Sequence, residues 1–239
     1  MKQFIYHRSK FLIPLFIVFL ILQFPAVFIL RLVPAPLQIG GVSGTIWSGR
    51  LTPLGISGQQ LLDEVRWQWQ PAKLFTGQLA WQLETRHGSH SGNAQLLLGL
   101  GGNRLEAVKI ALPAAPLFAL DKKLAPFQLA GLLEIEASKI SVKQSSEIGI
   151  AWQNASSLVT PQANPFGSYQ IKLQPNLDWN ISSQANPLLA INGQGKIDPQ
   201  RGPQGALLLK PASGKENLFA PLLNRMPLNG EQRELKLGV

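Results

Sequence analysis

Two hydrophobic rhythms divide this chain. From Phe11 to Leu30 twenty positions carry no charge, and a helix of that length reaches roughly 30 Å, the thickness of a bilayer's hydrocarbon. Beyond it the apolar positions alternate with polar ones. Val65, Trp67 and Trp69 alternate with Arg66, Gln68 and Gln70, and after a turn around Ala72–Gly77, Leu79, Trp81 and Leu83 alternate with Ala80, Gln82 and Glu84. A period of two puts the aromatic residues on one face of a strand, and the second run is its expected antiparallel partner. Gln95–Leu100 and Leu105–Leu112 predict another hairpin across Gly101, Gly102 and Asn103. Leu133, Ile135 and Ala137, then Ile140 and Val142, then Ile148–Trp152 continue the theme. Further strands are expected at Tyr169–Leu173, Leu177–Ile181, Leu188–Ile197, Ala206–Lys210 and Glu234–Leu237. Residues 33–62, rich in glycine, predict short strands broken by turns. Only Pro113–Leu124 and Lys215–Arg225 suggest helices, and both are short.

The expected fold is therefore mainly β: one N-terminal transmembrane helix, then an antiparallel meander of roughly ten or more strands. So little helix cannot cover both faces of such a sheet, so the apolar face must close on itself or meet another sheet. A curved sheet, half-barrel or sandwich results. The segments expected are residues 1–10 as a basic cytoplasmic end, 11–30 as a signal-anchor helix and 31–239 as one periplasmic β-rich domain. Its best internal lobe boundary is near 160–167, where Pro161 and Pro165 fall.

Retention of the apolar segment is favoured over cleavage, because a signal peptide has a shorter core of about 7–15 residues and Pro34 and Pro36 flank the candidate small residue Ala35. Pro14 falls in the first helical turn, where its missing N–H costs nothing, and Pro25 should bend the outer end. Lys2, Arg8 and Lys10 precede the segment and Arg31 alone follows closely, so these three set the topology with the N-terminus in the cytoplasm. The expected location is a bacterial inner membrane, crossed once.

Charge changes this picture little. Of the formal +9, +5 lies in residues 1–62, which contain no acid; the remainder has 17 basic and 13 acidic residues and no like-charge run longer than Lys122-Lys123. No basic stripe exists for nucleic acid. The absence of cysteine removes thiolate metal sites and disulfides.

Candidate chemistry is sparse. His87 and His90 sit in a polar hairpin loop without an acidic partner nearby. Asp63 and Glu64, adjacent on an extended chain, would point to opposite faces and fit a turn better than a catalytic pair. Neither Gly41-Val42-Ser43-Gly44 nor Gly55-Ile56-Ser57-Gly58 has nucleophile-elbow spacing, and Gly99-Leu100-Gly101-Gly102 is neither a dinucleotide nor a phosphate loop. Asn154 and Asn180 open glycosylation-type tripeptides that carry no weight in a bacterium. No enzyme and no cofactor are expected. Trp67, Trp69 and Trp81 are the side chains singled out: they either fill the sheet core or line an apolar groove or partner surface.

Several pieces, in order, resemble one family. The anchor is followed by Val42-Ser43-Gly44-Thr45-Ile46-Trp47-Ser48-Gly49, then by Trp67-Gln68-Trp69-Gln70-Pro71 leading through Leu74 and Gly77 to Leu79-Ala80-Trp81. Gly149-Ile150-Ala151-Trp152-Gln153-Asn154-Ala155 and Gly167-Ser168-Tyr169 follow. The chain resembles protein N of the type II (general) secretion pathway. That resemblance implies a non-enzymatic inner-membrane accessory subunit, partnered with other secretion subunits, that assists export of folded exoproteins across the outer membrane. A vaguer likeness to AsmA-like envelope proteins implies instead a curved sheet holding lipid or another apolar ligand.

Overall fold

A computed structural model describes residues 13–141 and 145–238. Lys2, Arg8, Lys10, Phe11, Leu12 and Val142 lie outside the described residues.

Helix α1 is described over residues 13–22, and a 3-10 helix covers Ala26–Leu32. The single helix expected through Leu30 is thus interrupted. Pro25 accounts for the break, since it lacks an N–H and disfavours helical geometry in the residue before it; it bridges Thr45 instead. Among the described residues no helix is long and apolar enough to cross a membrane. The large apolar side chains of α1, from Ile13 to Leu22, are nonetheless all exposed.

The rest is strand. The order is β1 (Leu37–Gly44), β2 (Ser48–Ile56), β3 (Gln59–Leu62), β4 (Glu64–Trp69), β5 (Gln78–His87), β6 (His90–Gly99), β7 (Arg104–Pro113), helix α2 (Ala114–Phe118), β8 (Leu129–Ser141) and β9 (Ile148–Ser157). Then come β10 (Gly167–Leu173), β11 (Asp178–Ser183), β12 (Leu189–Asp198), β13 (Gly202–Pro211), helix α3 (Glu216–Leu223), β14 (Leu228–Asn229) and β15 (Gln232–Leu237). All fifteen join one antiparallel sheet in nearly sequential order. β3 and β4 act as one strand interrupted at Asp63, for both pair with β2. Across 160–167, β9 and β10 are hydrogen-bonded neighbours, so the sheet is unbroken there.

Alternation sets the two faces. Arg66, Glu84, Asn93, Lys109 and Glu136 stand opposite one another on successive strands and form a polar face, on which Lys109 pairs with Glu136 at 3.1 Å. Trp67, Leu83 and Ala94 are the matching neighbours on the apolar face.

That apolar face curls in the second half. Six strand spacings of about 4.8 Å separate β8 from β15, roughly 29 Å in a flat sheet. Yet Leu129 of β8 and Leu235 of β15 line one cavity, and Lys123, just before β8, donates to the Lys236 carbonyl at 3.2 Å. The sheet curls there, bringing β8 and β15 to opposite walls of one cleft without a described pairing between them, and its main core collects inside the curl around Trp152, Phe166, Tyr169, Leu189 and Phe219.

Candidate functional site

The curl encloses an apolar cleft of about 340 Å³, within the size range of small-ligand pockets. Ile150, Ile171, Ile191, Leu207 and Leu235 come from five strands, and every other lining residue is also apolar. Trp152 and Trp179 could have offered polar N–H groups, but backbone carbonyls already occupy both: Ala130 at 3.0 Å and Gln204 at 3.1 Å. The cleft therefore presents no hydrogen-bonding side chain to an occupant, and its selectivity can come only from shape and hydrophobicity.

One end is closed and the other open. At the closed end α3 inserts Phe219 and Leu222, and the β9–β10 connection inserts Ala163 and Phe166, all essentially inaccessible. Phe166 meets Phe219 edge-on at 6.2 Å. Beyond Ile181 the pairing of β11 with β12 stops, and side chains take over its hydrogen bonds: Ser183 Oγ accepts from the Ile191 N–H at 2.7 Å, and Tyr169 Oη donates to the Leu189 carbonyl at 2.6 Å. Burial pushes the Tyr169 phenol well above its ordinary pKa, so it is neutral and a firm donor. Toward the other end Ile171, Leu173, Ile197 and Leu207 become half-exposed.

A second assembly sits in the first half. The turn 45–47 between β1 and β2 has all three carbonyls taken: Thr45 by Trp67 Nε1 at 3.0 Å, Ile46 by Trp81 Nε1 at 2.9 Å, and Trp47 by the Trp69 N–H at 2.6 Å. The turn in turn holds α1, as Trp47 Nε1 donates to the Ile21 carbonyl at 2.7 Å and the Ile46 N–H to that of Phe24 at 3.0 Å. Trp47 packs on Trp69 at 4.7 Å and Trp81 at 6.4 Å. Trp67 is buried, while Trp69 and Trp81 are half-buried. The three singled-out tryptophans are thus brought together as a clamp on the root of the apolar helix, away from the cleft. Trp47, the clamp's fourth member, is in the family-like motif but sits in a turn, where no periodicity marks it.

Tryptophan over glycine recurs along the sheet. Trp67 faces Gly49 and Trp179 faces Gly195 as direct cross-strand partners. An added Cβ would lie 2.5 Å from Trp67 Cζ2 at Gly49 and 2.7 Å from Trp179 Cζ2 at Gly195, so only glycine lets the indole lie flat there.

The polar candidates separate. His87 and His90 are cross-strand partners flanking a two-residue turn, and the described residues contain no cluster of three metal-ligating side chains. Asp63 does serve the turn, accepting from Gly88 N–H at 2.6 Å and from Gln60. Glu64 does not: it opens β4 and is buried, with Arg66 at 3.0 Å, Arg86 at 3.3 Å and Arg50 at 3.9 Å. The Arg66 hydrogen bond, aided by all three guanidiniums, holds its carboxyl below the usual range. This network has no sequence signature, because its arginines lie on three strands.

Among the described residues the architecture is an open antiparallel meander curled around a closed-ended apolar cleft. Residues 35–237 match the family model of type II secretion system (T2SS) protein N, and the chain belongs to that family. A curated relative, type II secretion system protein N of Aeromonas hydrophila, is 33% identical over 106 residues, 43% of this chain and 40% of the relative. The matched part thus spans two fifths of that relative's length. No solved structure matches.

Proposed function

We propose that this protein is a non-enzymatic accessory subunit of the type II secretion machinery, held in the inner membrane by residues 11–30 with its β-rich part, residues 31–239, in the periplasm. The observation that carries the reading is the family match over residues 35–237. The clamp supports it, because Trp47, Trp67, Trp69 and Trp81, from the first motifs of the resemblance, converge on fastening an exposed apolar helix to the sheet. Lys2, Arg8 and Lys10 orient the chain with its N-terminus in the cytoplasm. Its partners are other secretion subunits, and it requires no cofactor. Deleting the gene in a strain that depends on the pathway is expected to lower the amount of exoprotein in the medium and to leave it in the periplasm. Restoration by the intact chain, but not by one with Trp47, Trp69 and Trp81 replaced by alanine, completes the test; undiminished secretion after deletion overturns the reading.

A second reading is favoured by the cleft. A water-exposed opening lined only by apolar side chains suits an acyl chain, so the protein holds a lipid while acting in the machine. Gentle purification from native membranes followed by mass spectrometry of proteins and lipids separates the two. Secretion subunits without enriched lipid support the assembly role alone, and stoichiometric lipid supports the cleft.

A further inference from the structure

Three hairpin ends of the first half lie side by side: the clamped turn 45–47, the 3-10 helix Pro71–Thr76 joining β4 to β5, and the turn 100–103 joining β6 to β7. Their adjacency follows from register, since Trp69 opposes Trp81 and Gln78 opposes Gly99. Arg104 Nη2 donates to Gln78 Oε1 at 3.2 Å, tying the last two together. At their tips stand Phe75, 95% exposed, and Leu100, 103% exposed, with Leu74 at 47% beside them. Single exposed apolar side chains are ordinary, but two fully extended ones on neighbouring turns form a patch.

We infer that this corner rests on the bilayer and that Phe75 and Leu100 dip into the interface of an anionic phospholipid membrane. The inference builds on the reading of residues 11–30 as an anchor. Three observations converge on this occupant. Helix α1, apolar and exposed throughout, emerges from the same corner, its end bonded to Trp47. Charge agrees: residues 65–83 and 88–105 contain no acid, and Lys73, beside the patch, has no ion pair among the described residues. Arg104 is paired with Glu106 at 2.6 Å. Finally, Trp47, Trp69 and Trp81 lie just behind the tips, in the position where aromatic rings gather at a membrane surface. A corner built this way would fix the sheet's tilt over the membrane, which a lone helix with a broken end cannot do.

The native chain has no cysteine, so full-length Phe75→Cys, Leu100→Cys and Leu158→Cys variants can each carry one polarity-sensitive nitrobenzoxadiazole label. Leu158, exposed in the β9–β10 connection, lies beyond the opposite ends of the strands and serves as control. The labelled chains are reconstituted into phosphatidylethanolamine–phosphatidylglycerol vesicles. Blue-shifted emission at positions 75 and 100, quenched by doxyl lipid while position 158 is unaffected, is expected. A Lys73→Glu change or replacement of phosphatidylglycerol by phosphatidylcholine should lessen the shift. Emission at 75 and 100 matching 158, in protein that still floats with the vesicles after alkaline wash, overturns the docking and leaves the anchor standing. If the wash strips the protein off, the anchor reading fails, and the same probes are read with protein added to preformed vesicles: lipid-quenched emission there upholds docking by itself, and its absence rejects it. Shielding of 75 and 100 without lipid quenching assigns the patch to a protein surface and also rejects the bilayer.

Discussion

The two halves of this sheet obey one alternation and reach different ends. From β8 to β15 the apolar face is roofed by its own curl and by α3, and Phe166, Tyr169, Leu189 and Phe219 are fully buried. From β4 to β7 the same face meets α2 at one end, where Leu117 packs with Leu61, Leu62, Val65 and Leu112, while toward the other end Trp81, Leu83, Leu96 and Leu98 remain half-exposed. The difference is one of covering elements rather than of strand composition. A sheet face buries only what its curvature and its covering elements bring together, so the first half has two small packed clusters beside the Glu64 network and the tryptophan clamp, where the second has one large core.

Removing the roof should have the largest effect. Phe219→Ala empties a fully buried site against Phe166 and is expected to cost about 3–5 kcal/mol. Hydrogen exchange of the detergent-solubilised chain should locate the loss in β9–β13, with β4–β6 nearly unchanged. Equal loosening of both halves would show that they fold as one unit and would erase the distinction.

Adding volume tests the same contrast from the other side. Ala94, 1% exposed, is enclosed by Leu83, Val108 and Ala137, so Ala94→Leu should cost about 1–3 kcal/mol by overpacking. Ile171 lines the open cleft, so Ile171→Phe grows into free space and should change the denaturation midpoint by under about 1.5 kcal/mol. It should also displace any lipid that co-purifies. Tyr169→Phe is of similar size: it strips one bond from the Leu189 carbonyl and should cost about 0.5–1.5 kcal/mol, read from the same denaturation curves.

Much of this architecture was legible in the chain. Strands such as Leu133–Ala137 and Val65–Trp69 declare their faces because their neighbours in sequence fall on opposite sides, and the short helices at Pro113–Leu124 and Lys215–Arg225 reduce to α2 and α3 with moved ends. The cleft was legible only as a consequence, a meander too poor in helix to cover its face. Which half would curl was not, for Phe166 and Phe219 lie in a loop and a helix whose docking onto the sheet has no local pattern. The clamp was half visible. Trp67, Trp69 and Trp81 share a face by period two, but their N–H partners lie in a turn 22 and 35 residues away, a separation that periodicity cannot see. Glu64 misled for the same reason: beside Asp63 it reads as a turn, and only the cross-strand register brings Arg50, Arg66 and Arg86 to it.

That carboxylate gives the mildest test, and it probes the first half alone. Its pKa is lowered in the folded chain, so the unfolded state binds the proton more readily and the stabilisation is fully present above the ordinary glutamate range. It fades as pH falls through the lowered folded value. Glu64→Gln should therefore lower the unfolding midpoint at neutral pH, and the gap between variant and native chain should narrow as acid neutralises the native carboxylate. Because Arg50, Arg66 and Arg86 are more than half exposed, added salt should narrow it too. Exchange protection in β9–β13 should not respond to Glu64→Gln, since the ion pairs of that half, Lys172–Glu147 and Lys210–Glu231, are separate from this network. If acid weakens both halves in step and Glu64→Gln removes that response from both, the network is bracing the whole sheet, and the two halves differ in shape without differing in what holds them.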